Sequence, residues 1–145
     1  MHSDVFMKRL FLVFIIFFGI STQLVADVVK PALIEISAYT QGTVKVEIRA
    51  SIEALLTGIN AQYKNTQDSP MAAEYDELRV MLPEELQKQF LTFQHQMLEQ
   101  VFLNADDVEV QLVVDSVTIP EPGYTKVPRI SVIMLSGELS RNVRE

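Results

Sequence analysis

The chain has 145 residues, 48% of them hydrophobic, and a formal net charge of −7, enough for one modest core beneath an acidic surface. That charge argues against nucleic acid, whose phosphates would be repelled, and against a basic patch docked on anionic lipid. With no cysteine, disulfides, thiol catalysis, zinc–thiolate sites and iron–sulfur clusters are excluded, so stability must come from packing.

The first element along the chain reads as a secretory signal over residues 1–26. Lys8 and Arg9 supply the positive start, and Leu10 to Ile20 form an apolar run of eleven. A more polar stretch then ends on the small Ala26. A membrane-crossing helix needs about 20 apolar residues, so this run fits a signal core better than a span. Cleavage after Ala26 is expected, with retention as an uncleaved membrane anchor as the alternative. The remainder, Asp27 to Glu145, is expected to be a single extracytoplasmic domain.

Pro31–Tyr39 and Gly42–Ala50 read as two strands. In the second, Val44, Val46 and Ile48 alternate with Lys45, Glu47 and Arg49. Gly42 between them predicts an antiparallel hairpin. At Ser51, a good N-cap, the period changes. Ile52, Leu55, Leu56 and Ile59 then fall on one side of a short helix. Residues 60–69 are polar and read as a loop. Ser69-Pro70 predicts the start of a helix running to about Met81, and Pro83-Glu84-Glu85 another running to about Leu103.

On this long helix Leu86, Phe90, Phe93, Met97 and Val101 step by 4, 3, 4 and 4 and define a core-facing stripe. Leu91, Leu98 and Phe102 lie roughly 100° or more round from it, so the helix carries a second apolar face. That face either packs within the domain or meets a partner. The period returns to two at Val108, Val110, Leu112 and Val114, with a bend near Asp115-Ser116 before Val117–Ile119. Pro120-Glu121-Pro122-Gly123 marks a turn. Arg129–Leu139 is the last strand, with Ile130, Val132, Met134 and Ser136 on one face and Ile133 and Leu135 on the other, so cover on both sides is expected. If that strand lay at an open sheet edge, the isolated chain would be prone to aggregate.

The fold expected is α+β: an antiparallel sheet or β-sandwich with a three-helix insertion between strand pairs, preceded by an N-terminal signal helix. The chemistry legible in this order is thin. His95 is the one histidine after Ala26 and reads as a solvated side chain. The carboxylates Glu74, Asp76, Glu77, Glu84 and Glu85 read as helix surface. Asp106, Asp107 and Glu109 lack the spacing of a calcium loop and read as a solvated turn. Asp76 and Arg79, at i and i+3, are expected to pair on a helix surface. No catalytic residue, metal site or cofactor is expected, which points to a non-enzymatic role.

Five segments in this order carry a resemblance: VVKPALIEI, TVKVEIRASIEALLTGI, AEYDELRVMLPEEL, DSVTIPEPG and PRISVIMLSGEL. Together they resemble the extracytoplasmic N-terminal region of HupE/UreJ-like membrane proteins. The resemblance implies a signal peptide, then a soluble domain, then a bundle of membrane helices, with hydrogenase or urease accessory roles and uptake of nickel or a related metal. The metal-handling motif of that family lies in the membrane portion, so no residue here inherits it. The polar tail SRNVRE ends where the resemblance expects further strand and a first span, implying a truncated gene product or a stand-alone relative of the soluble domain. The resulting expectation is a periplasmic or extracytoplasmic accessory domain acting by interaction. Leu91, Leu98 and Phe102 would contact a membrane-protein partner or the missing transmembrane portion. The alternative is a free periplasmic protein binding a small apolar ligand or a metal ion.

Overall fold

An N-terminal hairpin and two strands from the C-terminal half of the chain meet in one antiparallel sheet, each with an apolar residue at about every second position. The computed structural model describes residues 27–125 and 127–139, so the expected signal segment, residues 1–26, lies outside the described residues. Strand β1 (Leu33–Ala38) turns back into β2 (Thr43–Ala50), and β5 (Leu112–Thr118) and β6 (Ser131–Glu138) complete the sheet in the order β1-β2-β6-β5. Gly42 has φ +85°, which a side chain would resist and which the predicted hairpin requires. Between β2 and β5 lie the helices α1 (Ile52–Thr57), α2 (Ala72–Arg79) and α3 (Pro83–Leu98). A two-stranded hairpin, β3 (Asn104–Ala105) with β4 (Val108–Glu109), comes after them. Of the two arrangements the patterns allowed, the four long strands take the single sheet.

The helices cover one face of that sheet. Val46 stands opposite Leu135 and Ile48 opposite Ile133. These four form the main core with Ile52, Leu78, Leu86, Phe90 and Met97. The core stripe expected on α3 is thus buried at Leu86, Phe90 and Met97. A second, smaller cluster joins Val29, Ala54, Ile59 and Tyr75. At Asp115 the β5–β6 register slips by one residue, at the predicted bend. The slip has a purpose: Leu112 and Val114 precede it, Val117 and Ile119 come after it, and only an extra residue keeps both pairs on the core side. Ser136 Oγ donates to Asp115 Oδ1 at 2.6 Å and fixes the bulge.

Several expectations are corrected. Among the described residues, helices cover one face of strand β6: Ser131, Ile133, Leu135 and Gly137 are buried, whereas Val132, Met134 and Ser136 are half-buried. It is also a central strand, and among the described residues the sheet edges are β1 and β5. Ser69 and Pro70 do not open α2. The Ser69 hydroxyl accepts Met71 N–H at 3.1 Å in a turn, and the helix begins at Ala72. Helix α3 ends at Leu98 rather than Leu103. There Gln100 and Val101 N–H bond to Met97 and Leu98 carbonyls in tight turns. The chain thereby leaves the helix axis, and Leu103 can accept Val110 N–H at 2.7 Å.

Candidate functional site

Helix α1 brings a carboxylate into the interior from its first turn. Ser51 caps the helix by accepting Ala54 N–H at 3.2 Å and donates to Glu53 Oε2 at 2.8 Å. Glu53 Oε1 accepts from Arg129 Nε at 2.7 Å. The remaining guanidinium donors go to backbone: Nη1 to the carbonyls of Met81 (3.0 Å) and Pro120 (3.2 Å), and Nη2 to that of Leu78 (3.3 Å). The planar fork of an arginine suits this role, since it can serve four acceptors at once without leaving its plane. Arg129 therefore joins α1, the C-terminal end of α2 and the β5–β6 connection.

A second buried pair lies at the start of the described chain. Asp27 and Arg79 form an ion pair, and Thr66 donates to the same Asp27 oxygen at 3.1 Å through its hydroxyl. The Asp27 carbonyl accepts Thr66 N–H at 2.9 Å. Arg79 lies 5.0 Å from the ring centre of Tyr75 and 3.5 Å from Asp76 Oδ1. The predicted Asp76–Arg79 pair is thus present, but Arg79 is buried and its close partner is Asp27, so the expected surface pair is corrected to the rim of an interior one. Asp27 Oδ1, Arg79 Nη2, Tyr75 Oη and Ser131 Oγ are buried with no close hydrogen-bond partner among the described residues. Burial pushes the Tyr75 hydroxyl above its ordinary pKa, while Arg79 and Ser51 pull the other way.

The residues singled out in sequence do not gather into one site. Leu98 packs against the main core. Leu91 is 52% exposed, and Phe102 is 72% exposed beyond the end of α3. His95 is exposed, with Glu99 at 3.6 Å as its neighbour one turn on. Glu74, Asp76, Glu77, Glu84 and Glu85 are exposed, as are Asp106, Asp107 and Glu109. Asp106 and Asp107 occupy the tight turn between β3 and β4, with φ of +48° and +64°. Among the described residues no three His, Cys, Asp or Glu side chains come close enough to hold a metal ion. A cleft of about 210 Å³ lies between α1 and the segment before β1, lined mainly by Val29, Pro31, Ala50, Ala54, Leu55 and Ile59.

What sequence reasoning missed are the two interior ion pairs. Their signal was present: Glu53 stands between Ile52 and Ala54, and Arg129 directly precedes the apolar run of β6. Charges stranded in apolar surroundings need partners, and two such residues of opposite sign point to each other. Comparison of the chain with protein-family models, with curated proteins and with solved structures finds no match.

Proposed function

We propose that this chain is an exported, non-catalytic α+β domain akin to the soluble region of HupE/UreJ-like membrane proteins, freed from its leader after Ala26 and acting by interaction. One observation carries the reading. Arg129, in the segment PRISVIM, bonds Glu53 in EALLTGI, the carbonyls of Leu78 and Met81 in EYDELRVM, and that of Pro120 in DSVTIPEPG. Asp27, directly before VVKPALIEI, pairs with Arg79 of EYDELR. The segments that carry the resemblance therefore supply both members of one interior ion pair and one member of the other. The buried charges serve architecture, and of the exposed apolar residues Leu91 and Phe102, on and just beyond α3, are taken as the contact with a membrane-protein partner.

Fractionating cells that express the whole chain tests both halves of this proposal. The product should be found outside the cytoplasm, with Asp27 as its first residue on N-terminal sequencing, and should sediment with membranes through a protein partner. Leu91→Asp with Phe102→Asp should release it while leaving its circular dichroism intact. Full-length product confined to the cytoplasm would sink export, and membrane association untouched by the double substitution would sink the surface.

The cleft beside α1 favours a second reading, a free periplasmic binding protein. At about 210 Å³ it is below the roughly 300–1,000 Å³ of ordinary ligand pockets, so only a small apolar molecule fits it. Calorimetric titration with short fatty acids, nickel and calcium would raise this alternative if heat is released, and would remove it if all are silent.

A further inference from the structure

The two edges of the sheet are built differently. On β5 the bulge at Asp115 interrupts pairing, and Asp115 and Ser116 are exposed beside it, a common defence of a free edge. Strand β1 has no such device. Its six residues hold an unbroken register against β2 from Leu33↔Arg49 to Ala38↔Val44. The helical layer also stops short of it. Ile34 stands opposite Ile48 and Ile36 opposite Val46, on the core side of the sheet. Yet Ile34 and Ile36 are 56% and 55% exposed, against 6% and 3% for their partners.

The free backbone groups of β1 can be assigned. Tyr39 N–H bonds to Thr43 O at 2.9 Å, so the pairs at 37/45, 35/47 and 33/49 are the hydrogen-bonded ones by antiparallel alternation. The N–H and C=O groups of Ile34, Ile36 and Ala38 then point away from the sheet. No charged side chain stands among those three positions.

We propose that β1 is a self-pairing edge: two copies of the chain join β1 to β1, antiparallel, about a twofold axis at Ile36, making one continuous sheet. The register is set by charge and by backbone geometry. With Ile36 opposite Ile36, Ile34 meets Ala38, so all three outward-facing residues of each strand are used. Glu35 then faces Ser37 of the second copy, whose own neighbour on β2 is Lys45, so the acidic side chain approaches a basic one. Sliding by two residues in one direction sets Glu35 opposite Glu35, which is unfavourable. Sliding by two in the other pushes Ile34 off the end of the partner strand. The same axis places both helical layers on one side of the joined sheet, and the bare core face of β1 gives them room. Ile34 and Ile36 from the two copies would form one apolar strip between those layers. Pairing through β1 is independent of the function proposed above.

The test uses the whole 145-residue chain, with intact mass recording whether residues 1–26 remain attached. Sedimentation velocity over a concentration series should show a monomer–dimer equilibrium. Ile36→Lys, at an exposed position, should keep the monomer's circular dichroism and weaken the dimer by roughly tenfold or more. Because the chain has no cysteine, Ile36→Cys should be joined to a second copy by a short bis-maleimide, whereas Val113→Cys on β5 should not. A chain that stays monomeric throughout, a dimer indifferent to Ile36→Lys, or preferential linkage through Val113→Cys would each overturn the proposal.

Discussion

At the scale of single residues, the interior is decided by who has a partner. Tyr75 is fully buried and its hydroxyl has none among the described residues. Its pKa in the folded chain lies above the ordinary 10.0, chiefly because burial disfavours the phenolate. The unfolded chain therefore releases this proton first. The stability tied to Tyr75 is intact below about pH 10 and is lost as pH rises towards the folded value. Tyr75→Phe should flatten that alkaline limb in urea titrations at pH 9 to 11, and the change in stability at neutral pH should be smaller than the change at pH 11. Gly137 is decided by space instead. A Cβ there would meet Val110 Cγ1 at 2.7 Å and the Gln111 carbonyl oxygen at 2.8 Å. Backbone cannot rotate aside as a side chain can, so Gly137→Ala should destabilise by about 2–3 kcal/mol in denaturant titration.

At the scale of elements, local signals were legible where the local sequence also controls the geometry. The β1–β2 hairpin, the Ser51 cap of α1 and the bend at Asp115 could be read directly, because a turn, a cap and a change of parity each leave a mark within a few residues. The end of α3 could not. Val101 continues the apolar spacing past Leu98, and only the pull of Leu103 towards Val110 takes the chain out of the helix. The turn between β3 and β4 shows the same dependence. Its two central residues, Asp106 and Asp107, both have positive φ, a geometry that favours glycine in the second place. Asp107→Gly should therefore stabilise the domain by roughly 0.5–1 kcal/mol, read as a raised urea midpoint with an unchanged slope. A lowered midpoint would mean that the aspartate makes a contact worth more than the strain it bears.

At the scale of the whole molecule, one arginine ties the helices to the sheet. Arg129 and Glu53 are about as deeply buried as the apolar core around them. Removing one member of a buried pair leaves the other charged and unsolvated, which costs about 3–5 kcal/mol. Glu53→Ala should lose that much in urea unfolding, and the loss should persist in high salt because the pair is shielded from solvent ions. A loss below about 1 kcal/mol, typical of surface pairs, would show that Arg129 is held by its three carbonyl partners alone.

The division between what sequence determines here and what folding decides comes down to range. Composition, strand alternation, the helical stripes and the order of elements are short-range properties, and they specify an α+β domain with an acidic surface and an antiparallel sheet. Strand order, the covered face of β6 and the pairing of Glu53 with Arg129 across 76 positions depend on which distant segments share a core. The same holds for Leu98, which lies on the same face of α3 as the exposed Leu91 but packs against the core. Periodicity states which side of an element is apolar; only the tertiary structure states whether anything lies against it.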